Sequence, residues 1–172
     1  MAVQMRPLSI QDMPLLHEWL NQPHLRPFYE REPSTLEQVV KRYACRVADD
    51  HRTKCLIAEL GGAPFGYLQW YLNRSFPEYG IDTIDLSDGV SFDYYIGDPA
   101  FRGQHLGSAM LNAAVEYAKP LVRAEDRLFC AGHRPENTSA IRCSQHAGFT
   151  YRKDFIEDGL THELYVRDEG TG

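Results

Sequence analysis

The sequence predicts a mixed α/β fold, and three observations carry that reading. First, an apolar run, Val90 to Ile96, breaks at Gly97-Asp98-Pro99. A basic loop with glycines follows, Arg102-Gly103-Gln104-His105-Leu106-Gly107-Ser108. Then Met110, Leu111, Ala114, Val115, Tyr117 and Ala118 recur at helical spacing. Second, Gly61-Gly62 separates two apolar runs and signals a tight hairpin. Third, two runs near the end, Phe149 to Ile156 and His162 to Val166, read as a closing hairpin. Strand–helix units in the middle with hairpins early and late imply one mixed sheet with helices against it.

Taken in order, residues 3–8 alternate and predict a first strand. Ile10, Met13, Leu15, Leu16, Trp19 and Leu20 predict an amphipathic helix over 11–21, ended by Asn21-Gln22-Pro23. Residues 24–33 form a loop with two aromatics, Phe28 and Tyr29. Ser34 with Glu37 has the spacing of a capping box and opens a helix over 35–48. Residues 54–60 and 64–72 are the hairpin strands around Gly61-Gly62. Residues 73–89 are a long connection with Glu78, Asp82, Asp85 and Asp88, and a loop of that length is usually functional or mobile. After the strand, loop and helix of 90–118 come a short strand over 127–131 and a turn at Gly132-His133-Arg134-Pro135-Glu136. A helix then runs from Asn137-Thr138-Ser139 to Gly148. The order is β-α-α-β-β-β-α-β-α-β-β, one domain over 1–168 with a frayed polar tail at 169–172.

Composition narrows the function. The net charge is −6, from 18 basic and 24 acidic residues. That disfavours nucleic acid, which wants a basic face. It suits a cationic substrate, although mild acidity is common among soluble domains and decides nothing by itself. No run approaches the roughly 20 apolar residues of a membrane span, and Met1 to Arg6 lacks a leader's apolar core. The expectation is a cytoplasmic monomer or homodimer that binds neither membrane nor nucleic acid. Cys45, Cys55, Cys130 and Cys143 stand singly, with no C-x-x-C pair. They predict reduced, buried or half-buried thiols and no metal site.

The loop at 102–108 has the form of a pyrophosphate cradle, with backbone N–H groups and a helix N-terminus aimed at one anion. Alone it serves any nucleotide-type cofactor. Its company is more specific. Asn137…Ala140-Ile141-Arg142…Ala147-Gly148-Phe149 follows at a fixed distance. Together the two segments resemble the signatures of the GNAT superfamily of acetyl-CoA-dependent N-acetyltransferases. The first is usually Gln/Arg-x-x-Gly-x-Gly/Ala, and here His105 replaces its middle glycine. Within the superfamily the chain is most similar to aminoglycoside 6′-N-acetyltransferases. That similarity rests on Leu16 to Asn21, Gly62 to Tyr67 and Phe92 to Gly97. Related acyltransferases of siderophore assembly share the Trp-Leu-Asn-x-Pro opening but commonly carry histidine where Asp93 stands.

The resemblance implies a central, mostly antiparallel sheet, splayed into a V and flanked by about four helices. It implies coenzyme A held by Arg102, Gly103, Gln104, His105, Leu106, Gly107 and Ser108, with Arg102 adding charge. His105 carries a Cβ, so the loop is expected to run there in an ordinary conformation. Its ring is either a phosphate contact or a tolerated surface substitution. The backbone of Tyr94, Tyr95 and Ile96 would take pantetheine like an added strand, with the N–H of Tyr95 polarising the thioester carbonyl. Asn137 would bond the pantetheine arm, cap its helix, or do both. Ala140 and Arg142 complete the cofactor set.

Asp93 is the candidate for handling the amine. On an alternating strand it faces away from Phe92 and Tyr94, and a lone carboxylate among apolar neighbours is costly as mere packing. It would bind the ammonium and accept its proton, or else it pairs with a neighbouring arginine. Phe28 and Tyr29 are candidates to wall the acceptor site or to pack the core. Glu78 and Asp82 are candidates for further ammonium contacts or simply a solvated loop. The family often has a tyrosine as general acid two residues after the arginine of Ala-Ile-Arg. Ser144 stands there; Tyr94, Tyr95 or water could substitute, or the thiolate leaves unassisted, so no acid is assigned. An acidic residue common in aminoglycoside binders just before the second signature is replaced by Gly132-His133-Arg134. Cys143 lacks an activating pair, so direct transfer without an acyl-enzyme is expected. The leading expectation is transfer to the 6′-amine of an aminoglycoside or similar amino sugar. The alternatives are a siderophore or other small-metabolite amine, and a non-catalytic acyl-CoA-binding module.

Overall fold

The computed structural model describes residues 2–29, 32–77 and 89–170. Its strands are β1 (Val3–Pro7), β2 (Lys54–Leu60), β3 (Ala63–Leu72), β4 (Gly89–Ile96), β5 (Leu128–His133), β6 (Thr150–Glu157) and β7 (Leu160–Asp168). Its α-helices are α1 (Met13–Leu20), α2 (Leu36–Tyr43), α3 (Leu106–Ala118) and α4 (Thr138–His146). One seven-stranded sheet forms in the order β1-β2-β3-β4-β5-β7-β6.

Every pairing is antiparallel except β4 with β5. That parallel pair is short, joining only Gly89–Ser91 to Leu128–Cys130. Beyond it each strand keeps its outer partner, β3 for β4 and β7 for β5, while the two separate. The sheet therefore opens into the expected V at its centre, leaving the β5-facing edge of residues 92–96 unpaired by any strand.

Period-two alternation on β4 sends successive side chains to two cores. Val90 and Phe92 join Leu111, Val115, Phe129 and Phe149 under α3 and α4, with Tyr94 packed alongside. Tyr95 joins Trp19, Leu20, Tyr43 and Tyr67 under α1 and α2. Trp19 lies flat on the backbone after β4: a Cβ at Gly97 would come within 2.1 Å of its ring. α1 is thereby pinned at the wide end of the V.

Several boundaries differ from expectation for local reasons. The first helix is divided into a 3-10 turn, Ile10–Asp12, and α1. The capping box of α2 sits on Thr35 and Gln38, one residue past the predicted Ser34 and Glu37. The Ser34 backbone is already bound on both sides by Asn21, whose side chain accepts from Ser34 N at 3.0 Å and donates to Ser34 O at 2.9 Å. α2 ends at Tyr43 and continues as a 3-10 turn, Ala44–Val47. Cys45 is exposed, contrary to the expectation for all four thiols, because it lies on the outer side of that turn. Glu169, expected to fray, is held by Lys119 and Arg167 at 2.6 Å each. Among the described residues no helix is long and apolar enough to cross a membrane.

Candidate active site

The opening of the V holds a cleft of about 740 Å³, walled by β4, β5, the 102–108 loop, α4, the loop after α1 and the β6–β7 hairpin. Its charges are separated. Arg102, His105, Arg142 and His146 gather around the start of α3 and along α4, whereas both lining carboxylates, Asp93 and Glu157, lie near one another, with Arg134 at the rim over Phe28 and paired with Glu136. Burial raises the Glu157 pKa, and the charge of Asp93 raises it further.

The basic end is built on the N-terminus of α3. His105 is its N-cap residue and makes no side-chain capping bond; of the first turn, the Ser108 N–H lies against the Cys143 thiol, while Leu106 and Gly107 line the cleft without a side-chain cap. His105 has φ 58° and ψ 15°, the left-handed conformation that the missing glycine would supply. The expected ordinary backbone is therefore wrong: the turn into α3 keeps its geometry, and histidine bears a strain of about 1–2 kcal/mol. The His105 ring lies 6.1 Å from that of His146. Gly103, at φ 75°, has open space around it. Gly107 serves another purpose, since a Cβ there would meet Cys143 Sγ at 2.5 Å. It lets α4 lie close on α3. Arg102, Gly103, His105, Leu106, Gly107, Ser108, Asn137, Ala140 and Arg142 all line the cleft. Gln104 does not; its amide donates to Ala100 O at 2.7 Å. Asn137 caps α4, its side chain accepting from Ala140 N at 3.3 Å.

The backbone parity of β4 decides which groups meet the cleft. Gly97 N donates to Phe65 O at 2.9 Å, and the Tyr95 carbonyl lies against Gly66, so residues of that parity turn to β3. Tyr94 and Ile96 have the opposite parity and offer their backbone to the open edge. The N–H of Tyr95 singled out above thus faces the neighbouring strand, and the open-edge donors belong to Tyr94 and Ile96. His24 Nε2 donates to Ile96 O at 2.8 Å; a carbonyl only accepts, so that nitrogen carries the proton.

At the acidic end Asp93 is half-buried and makes no salt bridge among the described residues. Its Oδ2 accepts from Gln69 Nε2 at 2.8 Å. Gln69 Oε1 in turn accepts from Arg46 Nη1 at 2.7 Å and Tyr67 OH at 2.9 Å. Burial pushes the Asp93 pKa up; the Gln69 bond and the Arg46 charge partly offset it. Tyr29 packs edge-on against Tyr95 with ring centroids 4.6 Å apart, and Tyr95 stacks on Tyr67 at 5.2 Å. Phe28, 43% exposed, lies at the mouth under the Arg134 guanidinium, 6.0 Å from the ring centroid. Phe28 and Tyr29 both line the cleft, while Glu78 and Asp82, with Asp85 and Asp88, lie outside the described residues.

Ser144 is fully buried and committed elsewhere. Its Oγ lies 2.6 Å from His133 Nε2 and 3.3 Å from Tyr94 OH, and Tyr94 OH donates to Ala140 O at 3.1 Å. Every proton in this chain has an acceptor when His133 donates to Ser144, Ser144 to Tyr94 and Tyr94 to Ala140. Burial, reinforced by His162, pushes the His133 pKa down to about 4, so its ring is neutral at pH 7. The Tyr94 hydroxyl is spent on a helix carbonyl, and burial raises its pKa. Neither group aims a proton at the cleft. Gln69, His24, His146, Glu157 and His162 had no local signal in the sequence: the register of β3 with β4 brings Gln69, the last hairpin returns Glu157 and His162, and His24 and His146 come from the loop after α1 and the end of α4, while Arg46 reaches Gln69 from the turn after α2.

Comparison with known proteins agrees with this architecture. The family model described as "Acetyltransferase (GNAT) domain" matches residues 9–156. Proteins named aminoglycoside N(6′)-acetyltransferase type 1, from Klebsiella pneumoniae and Serratia marcescens, are each 29% identical over 153 residues. The alignment covers 86% of this chain and 74% of each relative. Among solved structures, AAC(6′)-Ib with coenzyme A and kanamycin superposes with a TM-score of 0.87 at 25% identity. That match covers 98% of this chain and 95% of the other. The same enzyme in complex with paromomycin and acetyl-CoA gives a TM-score of 0.88 at 24% identity, over 98% and 94% of the two chains. With the splayed sheet, the uncapped α3 N-terminus and both signature segments around one cleft, the chain belongs to the GNAT acetyltransferase family.

Proposed function

We propose that the protein transfers acetyl from acetyl-CoA to a primary amine, the 6′-amine of an aminoglycoside or a similar amino sugar. The observation that carries this reading is the polarity of the cleft. Arg102, His105, Arg142 and His146 suit a polyanionic cofactor, and Asp93 and Glu157 suit a cationic acceptor. The names and bound ligands of the relatives support the same reading.

Acetyl-CoA would supply the activated acetyl group as a thioester. The N–H groups at the start of α3, with Arg102 and Arg142, would hold its pyrophosphate. The open-edge backbone of Tyr94 and Ile96 and the side chain of Asn137 would hold the pantetheine arm. Phe28 and Tyr29 form an apolar wall against which a sugar ring packs. Asp93 binds the ammonium, orients it and takes one proton; the neutral amine would attack the thioester carbonyl, the C–N bond forming and the C–S bond breaking, and coenzyme A would depart as the thiolate, taking up the amine's second proton through water. Transfer is direct: burial raises the Cys143 pKa, so its thiol stays protonated and is a poor nucleophile.

The test is thiol release from acetyl-CoA with a panel of amines: kanamycin, small polyamines and hydroxylamines. Turnover on kanamycin with acetylation of the 6′-amine is the expected result. Preference for the small amines transfers the reading to a metabolite acyltransferase. Tight coenzyme A binding without turnover on any amine overturns the enzyme reading in favour of a binding module.

A further inference from the structure

We propose that Gln69 and Arg46 are positioning residues for acetyl transfer: Arg46 locks the Gln69 amide in one orientation, and that amide aims the Asp93 carboxylate into the acceptor end of the cleft. The inference rests on the assignment of Asp93 to the amine.

Gln69 and Asp93 are direct cross-strand partners on β3 and β4, so their side chains leave the same face side by side. A primary amide has an accepting end and a donating end. Arg46 can only donate, and its Nη1 lies 2.7 Å from Gln69 Oε1. Turning the amide over would set its NH₂ against the guanidinium. Tyr67 OH adds a second donor at 2.9 Å. Its oxygen also lies 3.0 Å from Cys55 Sγ, a thiol that burial keeps protonated. With Oε1 held twice, Nε2 must face Asp93 Oδ2. Oδ1 has no hydrogen-bond partner among the described residues and is left for a ligand.

Arg46 itself is half-buried, lies 5.1 Å from the Tyr43 ring centroid, and makes no salt bridge among the described residues. A guanidinium without a carboxylate of its own is accounted for if its charge acts on Asp93 through the amide. It favours the ionised form that burial opposes. Tyr29, Glu157 and His162 face Asp93 from the other walls, with His24 and His133 further along the cleft and Arg134 at its rim, paired with Glu136. Only Arg46 among these groups is a fixed cation coupled to it by hydrogen bonds.

Gln69→Glu tests this with little change of shape. The new carboxylate still accepts from Arg46 and Tyr67 but sets an acceptor against Asp93. The readouts are the pH profile of kcat/KM for the amine and a carboxyl-carbon NMR titration of the protein alone, with the Asp93 signal identified by its loss in Asp93→Asn. The acid limb and the Asp93 midpoint should both move up by about one pH unit or more. Arg46→Met should move both the same way by less, and Arg46→Lys should restore most of the shift. Coenzyme A affinity should stay within twofold in all three. In Asp93→Asn, adding Gln69→Glu should change the rate less than twofold. An unmoved midpoint in both Gln69→Glu and Arg46→Met overturns the inference. Were Gln69→Glu to unfold, the Arg46 pair would decide by the same NMR midpoint. A moved midpoint with no turnover in the wild type would keep the coupling and remove the catalytic assignment, so the two failures are distinct.

Discussion

Replacing Gly107 with alanine drives a methyl group into the contact between α3 and α4. A Cβ there lies 2.5 Å from Cys143 Sγ and 3.3 Å from Cys143 Cβ. Ordinary contacts sit near 3.5–4.0 Å, so α4 must move out by about 1 Å or the thiol must rotate. Overpacking of this kind costs about 1–3 kcal/mol. Alanine returns up to about 1 kcal/mol of helix propensity, leaving a net loss of about 0–2 kcal/mol. Cys143→Ala removes the Sγ and leaves only the milder 3.3 Å approach. The double variant should therefore be more stable than the sum of its parts by about 1 kcal/mol or more. Urea denaturation of all four proteins measures that coupling. Coenzyme A binding should weaken in Gly107→Ala, because residues 106–108 shift, and recover in the double variant. Additivity within about 0.3 kcal/mol, with unchanged coenzyme A affinity, would refute the close approach of the two helices.

Three further outcomes follow from particular contacts. His105→Gly should gain about 0.5–1 kcal/mol in urea denaturation, since the relief of left-handed strain exceeds the added entropy of the unfolded chain; a loss of stability contradicts the strain. Asp126, whose side chain is 1% exposed, is held at a pKa of about 2, below the ordinary 3.8, by Arg74 first and then Arg123. Its contribution of about 2 kcal/mol is full above pH 4 and lost as pH falls through about 2, so Asp126→Asn should destabilise at pH 7 and have little effect at pH 2. Ser144→Ala should cost about 1–3 kcal/mol, because His133 and Tyr94 lose their shared partner inside the protein; a change under about 0.5 kcal/mol contradicts the network.

The strands, the four helices and the glycine-bearing turn at 102–108 into α3 were legible because each rests on local periodicity or turn chemistry. Asp93 was legible as a charge on an otherwise apolar strand. Other features depend on relations that no local window contains. The cap of α2 slipped from Ser34 to Thr35 because Asn21, 13 residues away, binds the Ser34 backbone. The left-handed His105 was unexpected because conformational preference argued against it; the turn into α3 overrides that preference. The orienting pair of Asp93 appears only once strand register sets Gln69 beside it and the turn after α2 brings Arg46 across. Ser144 was visible as a departure from the family pattern. Its commitment to His133 and Tyr94 was not, since β4, β5 and α4 converge on it from separate parts of the chain.

The central claim is that Asp93 takes the amine's proton in a cleft whose other end holds acetyl-CoA. The most direct measurement is kcat/KM for kanamycin in Asp93→Asn across pH, followed by thiol release, with coenzyme A affinity measured alongside. A loss of about 10²–10⁴-fold, an acid limb abolished and coenzyme A affinity unchanged are predicted. An Asp93→Asn protein that works at near the wild-type rate, with the same acid limb, would contradict it.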